Sequence, residues 1–164
     1  MTRQVLSSLV LPDGSVVDGA QPKARVHRQA AYSLPNSAWT KIPFDTLDSE
    51  EGVDTSQWDS ANSRLICREA GTYWVAATIG MASGGAGIRG IVLWKNGGAP
   101  ATQPEYYGTT GAAPTGITTF LHASALIPLI LGDYVETAAY PNSTAALATS
   151  PGLGWMYMHW AKLL

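Results

Sequence analysis

Side chains able to do chemistry are sparse in this chain, and one cluster of them stands out. Asp45, Asp48, Glu50, Glu51, Asp54 and Asp59 place six of the twelve carboxylates within fifteen residues. Oxygen donors gathered on a loop are what Ca2+ takes, about six to eight at a time. The spacing is not that of an Asp-x-Asp-x-Asp-Gly loop, so a solvated acidic loop is the simpler reading and a weak calcium site the other. The three histidines, His27, His122 and His159, are far apart in sequence and show no short metal-ligand spacing. Cys67 is the one cysteine, which excludes an intramolecular disulfide and a four-cysteine zinc site. It stands in Leu65-Ile66-Cys67 and reads as a small buried apolar residue. Ser83-Gly84-Gly85-Ala86-Gly87 lacks the helix that a dinucleotide site needs and reads as a hairpin loop. No nucleophile elbow, phosphate loop or His-Glu-x-x-His occurs, so neither an enzyme nor a cofactor is expected. Tyr106-Tyr107, between Gly98 and Gly116, form an aromatic pair that either stacks on a sugar or packs in an interface.

The elements that would carry these residues are short strands. Seventeen glycines and ten prolines interrupt the chain every few residues. Between them lie runs with two-residue alternation, about eight in all: 24–32, 39–44, 64–67, 72–81, 88–95, 117–127, 134–140 and 155–163. Asn96-Gly97 is the strongest turn signal, since both residues tolerate positive φ. The pattern predicts an all-β antiparallel sandwich, a jelly roll, over residues 22–164. The segment 53–70 has no Gly or Pro and could start a helix at Ser56, yet Asp59-Ser60-Ala61-Asn62-Ser63 is poor helix material. In 71–79 one face carries Tyr73, Val75, Ala77 and Ile79, which makes it the core face and turns Trp74 outward. In the last strand both faces are large: Trp155, Tyr157 and His159 alternate with Met156, Met158 and Trp160. A strand apolar on both faces is central in a sandwich or lies at a subunit interface.

Composition bounds the partners. Hydrophobic residues make up 46% of the chain and charged ones 13%, about half the usual globular share of roughly 25%. Ten Lys and Arg against twelve Asp and Glu leave no basic stripe for nucleic acid. No apolar run approaches the roughly 18 residues of a membrane helix, so no membrane insertion is expected. Met1–Leu11 lacks the apolar core of a secretory signal. Residues 1–21 read as a separate N-terminal docking arm: Val5, Leu6, Leu9, Val10 and Leu11, then Val16-Val17, flank the turn Pro12-Asp13-Gly14-Ser15. The alternative is an extra edge strand of the same domain.

Three segments in order resemble the jelly-roll head shared by complement-type globular heads and tumour necrosis factor cytokines. They are Ala70-Gly71-Thr72-Tyr73-Trp74-Val75, the run from Ile127 through Gly132-Asp133 to Val135, and the apolar strand ending at Leu163-Leu164. A similar order of pieces is found in bacteriophage tail and head-surface proteins. It matches here as Arg25-Val26, Phe44-Asp45, Ser63-Arg64-Leu65, Gly71-Thr72-Tyr73, Arg89 to Leu93 with Asn96-Gly97, Gly132 to Glu136, Tyr140-Pro141-Asn142-Ser143 and Ala161-Lys162-Leu163. The collagen-like stalk of the animal proteins is absent from the sequence. The resemblance implies a homotrimer with apolar faces about a three-fold axis, where Trp74, Tyr157 and Trp160 are expected at the interface. Some relatives of that kind bind calcium. It further implies a non-enzymatic subunit on the virion surface, a decoration protein anchored by its arm to a phage capsid or tail protein. The alternative is a tail-tip head that attaches to a host cell-surface glycan or protein.

Overall fold

The computed structural model describes residues 8–10, 16–18, 22–49, 53–97, 106–150 and 156–163. Strands cover the alternating runs, and several of them continue through a glycine or proline, as at Gly80, Gly90, Pro128 and Pro141. In chain order they are β1 (Ser8–Val10), β2 (Val16–Asp18), β3 (Lys23–His27), β4 (Ser33–Leu34), β5 (Thr40–Lys41), β6 (Thr46–Leu47), β7 (Trp58–Asp59), β8 (Arg64–Ile66), β9 (Gly71–Met81), β10 (Gly87–Lys95), β11 (Tyr106–Ala113), β12 (Thr119–Leu129), β13 (Tyr134–Asn142), β14 (Leu147–Ser150) and β15 (Met156–Lys162).

Every strand pair is antiparallel, and apart from the small β1–β2 hairpin the strands form two sheets. In the first, β9 is the spine. It pairs along its whole length with β12, from Gly71↔Leu129 to Met81↔Thr119. Its other edge takes β15 over Tyr73–Ile79 and then β14 at Gly80 and Met81. Strand β3 lies beyond β15, β6 beyond β3, and β4 beyond β14. In the second sheet β10 stands between β11 and β13, and the free edge of β13 is filled by β5 and β8, with β7 outside β8. The core between the sheets is drawn from alternate residues: Tyr73, Val75, Ala77 and Ile79 of β9 meet Ile91 and Leu93 of β10 and Val135 and Ala139 of β13.

All eight expected runs contain a strand, but several neighbours in sequence lie in different sheets. The glycine-rich segment 83–87 does not close a hairpin: β9 and β10 do not pair, and the segment carries the chain from one sheet to the other. Small residues are required there by close approach. A Cβ on Gly87 would lie 1.6 Å from the carbonyl oxygen of Asn142, and one on Gly84 2.3 Å from Leu147 Cδ2. Asn96-Gly97 does turn with positive φ, 55° and 72°, and leads toward β11, the partner of β10. The segment 53–70 holds no α-helix. It makes two 3-10 turns, Thr55–Gln57 and Ser60–Asn62, and the caps are Asp54 and Asp59 rather than Ser56.

Candidate functional site

The long-strand sheet has two faces, and the second is the candidate site. Two-residue alternation sends Leu121, Ala123, Ala125, Ile127 and Leu129 of β12 into the core and leaves Phe120, His122, Ser124, Leu126 and Pro128 outside. Register then sets those outward residues in rows across the sheet. His122 stands opposite Thr78, which stands opposite Tyr157, which stands opposite His27. The next row runs Ser124, Ala76, His159, Arg25, and the one after it Leu126, Trp74, Ala161, Lys23. Large apolar groups on this face stay in water in the single chain: Trp74 is 40% exposed, Phe120 47% and Leu126 58%. At the end of the sandwich where β12 turns into β13, Ile130 and Leu131 are 68% and 70% exposed. The ring of Phe120 lies over Gly80, where a Cβ would come within 2.7 Å of it.

Polar contacts fix the centre of the face. His159 packs its ring 4.7 Å from that of Trp74 and stacks 5.6 Å from that of Tyr157. Burial, the Arg25 guanidinium and His122 together hold His159 below the usual histidine pKa. His122 Nδ1 and Thr78 Oγ1 are 3.1 Å apart. His27 is buried, with Nδ1 2.6 Å from Asp48 Oδ1, and Arg25 Nε lies 3.0 Å from the other oxygen of Asp48. The guanidinium of Arg25 also sits over the Tyr157 ring, 5.1 Å from its centre. The face therefore carries an apolar rim and an aromatic, histidine-bearing middle. That combination is of the kind found in association surfaces.

The sequence-predicted residues fall differently from one another. Trp74 and Tyr157 both lie on this face. Trp160 is not: it is 1% exposed within the single chain, packs 4.9 Å from the Tyr73 ring and donates its indole N–H to Gln57 Oε1. The two-residue period puts it on the same side as Met156 and Met158, so its place is the core and not an interface between chains. Phe120, His122 and Leu126 were the missed members, although the strict alternation of 119–129 carried the signal. Tyr106 and Tyr107 do not stand in a loop but open β11, beside Leu93; their side chains lie outside the described residues. The backbone of the N-terminal hairpin is described, with Leu9 opposite Val17 and Val10 opposite Val16, whereas Val5, Leu6 and Leu11 lie outside the described residues.

The acidic stretch is spent on structure. Asp45 accepts from the backbone N–H of Gln29 and from Thr46 and meets Arg28 at 3.3 Å. Asp48 holds His27 and Arg25. Asp54 and Asp59 cap the two short turns, and Asp59 also receives Arg64 at 2.8 Å. Glu50 and Glu51 lie outside the described residues. Among the described residues no three His, Cys, Asp or Glu side chains converge on a point where a metal could sit. Cys67 is buried, its thiol 3.0 Å from the carbonyl oxygen of Glu69.

No protein-family model matches the sequence, and no curated protein sequence is significantly similar to it. Solved structures are similar in fold. Eiger TNF from S. frugiperda superposes with a TM-score of 0.65 at 13% identity, over 88% of this chain and 94% of that one. Murine APRIL at pH 5.0 gives 0.62 at 12%, over 87% and 99%. The globular domain of zebrafish complement 1qA protein gives 0.57 at 12%, over 88% and 98%. These likenesses speak to architecture and not to a bacteriophage setting, and the sheet order and the core agree with them: the chain is an all-β antiparallel sandwich with the jelly-roll fold of the tumour necrosis factor and C1q-type heads.

Proposed function

We propose that the chain is a non-enzymatic homotrimeric head in which the outward face of β12, β9, β15 and β3 packs about the three-fold axis. The observation that carries this reading is the exposure of Trp74 beside Leu126 at one end of the outward sheet face and of Phe120 toward the other end of the same face. Large apolar groups left in water on one face are a mark of association sites, and interface cores are enriched in aromatic side chains and poor in charge. The low charge of the whole chain supports it, because much of the surface of an obligate oligomer is removed from water. The likeness in fold to TNF and C1q heads supports three-fold symmetry.

The finer reading is a subunit displayed on a bacteriophage virion, with residues 1–21 attaching it to a capsid or tail protein. What supports this is the order of sequence motifs from Arg25-Val26 to Ala161-Lys162-Leu163 and the aliphatic content of the first seventeen residues.

Sedimentation tests the trimer. The intact chain is expected to run at three times its 17.3 kDa mass at micromolar concentration. Leu126→Glu should leave the fold intact, because the side chain is mostly in water in the single chain, but should separate the copies by placing a carboxylate in an apolar contact. A trimer that survives Leu126→Glu overturns the assignment of this face. Deleting residues 2–21 tests the finer reading: the trimer should persist while the head is lost from purified particles, and full retention on particles overturns it.

A further inference from the structure

The three histidines of the chain, dispersed in sequence, converge on the proposed interface. His122 projects from β12, His159 from β15 and His27 from β3, all on the outward face and in adjacent rows. We propose that the assembly is proton-gated, the trimer holding at neutral pH and separating into folded heads as His159, at the centre of this face, charges. The inference rests on the trimeric reading above.

The charges on the face make the direction plain. From β3 the cationic Lys23 and Arg25 and the imidazole of His27 face it, from β15 Tyr157 and His159, and from β12 His122; β9 contributes Thr72, Trp74, Ala76 and Thr78, none of which titrates in this range. Among the described residues, the carboxylate that meets this group is that of Asp48, engaged by both His27 and Arg25. A second proton taken up beside Arg25 therefore finds a cation and two aromatic rings around it. His159 accordingly favours its neutral form in the single chain, through burial first and then through Arg25 and His122. Covering the face with another copy removes more water and strengthens that preference, so the trimer binds fewer protons than the separate chains. By linkage the assembly is then favoured above the ordinary histidine range, near pH 6.5, and weakened as pH falls through it. If each chain takes up one proton on separation, the dissociation constant of the trimer rises by up to about a thousandfold per pH unit.

Sedimentation equilibrium of the full chain at pH 8, 7, 6 and 5, with circular dichroism at each pH, reads this directly. The expected result is trimer at pH 8 and a growing monomer fraction toward pH 5 with the β spectrum kept. His159→Gln together with His122→Gln should hold the trimer at pH 5, and His122→Gln alone, at a position where the side chain is exposed, should shift the midpoint part of the way. Trimer of unchanged strength from pH 8 to pH 5 overturns the proton gate and leaves the trimer standing. Dissociation or unfolding that the double variant shows equally also overturns the gate. Monomer at pH 8 overturns the trimeric reading itself.

Discussion

Trp74 and Trp160 belong to opposite sides of one sheet, and truncating each to alanine separates core from interface. Trp160 is 1% exposed, lies against Tyr73 and donates its indole N–H to Gln57, itself buried with no exposure. Removing a buried tryptophan side chain costs about 3–5 kcal/mol in lost transfer energy and cavity. Leaving the Gln57 carbonyl without a donor adds roughly 1–3 kcal/mol, unless water enters the space. Against a total stability of about 5–15 kcal/mol, Trp160→Ala should leave a barely folded head. Near the transition, each kcal/mol is worth roughly 2–4 °C for a chain of this size, so the midpoint should fall by on the order of 10–20 °C. Trp74→Ala removes a side chain that is already 40% in water, and in the separated head it should cost at most about 1 kcal/mol. Its effect should appear instead in association, as loss of the trimer. The assay is urea unfolding of each variant in the monomeric Leu126→Glu background, where stability does not depend on concentration, paired with sedimentation of the single variants. The reasoning is refuted if Trp160→Ala loses less than about 1 kcal/mol, or if Trp74→Ala proves the more damaging of the two in that background.

Acid should weaken the fold through its paired carboxylates. Burial would raise the Asp133 pKa, but the Ile130 N–H at 3.0 Å, the Asn96 amide at 2.7 Å and Lys95 outweigh it and hold the group below the usual carboxylate range. A depressed folded-state pKa gives stability that is present above about pH 4 and lost below it; Asp133→Asn should therefore be less stable at pH 7 and show a shallower loss between pH 4 and 2 in urea titrations. Gly87→Ala places a methyl group against the Asn142 carbonyl, and should cost more than about 2 kcal/mol or yield no folded protein when expression and melting are measured. Cys67→Ala removes one buried sulfur and should lower stability by about 1 kcal/mol, with trimer formation by sedimentation unchanged.

Alternation was legible because it is a local property. The core faces of β9 and β12, the turns at Asn96-Gly97 and Gly132-Asp133, and the burial of Cys67 all follow from side chains within a few residues of one another. Strand β11 was not legible. Its Tyr106, Tyr107, Thr109 and Thr110 favour a strand, but Gly108 and Gly111 interrupt them and leave no two-residue apolar alternation to mark a face, and it is pairing with β10 that places it in the sheet. The sheet switch at residues 83–87 was hidden for a related reason: a glycine run states that backbones approach closely but not which ones.

The acidic stretch shows the same limit in its chemistry. Six carboxylates in fifteen residues look like one site when written in a line. Folding sends the described ones to separate tasks: Asp45 meets Arg28, Asp48 meets Arg25 and His27, Asp59 meets Arg64, and Asp54 caps its own turn through Ser56 and Gln57. The histidines do the reverse. Nothing in their spacing joins residues 27, 122 and 159, yet register alone sets them on one face, because β9 carries β12 on one edge and β15 on the other, with β3 beyond. Proximity in sequence and proximity in a sheet are independent, and it is the second that decides which residues can share a proton, a metal or a partner. In the trimer proposed above the shared surface is the outward face of the long-strand sheet. Its apolar rim supplies a reason for copies to meet, and its histidine centre makes that meeting depend on pH.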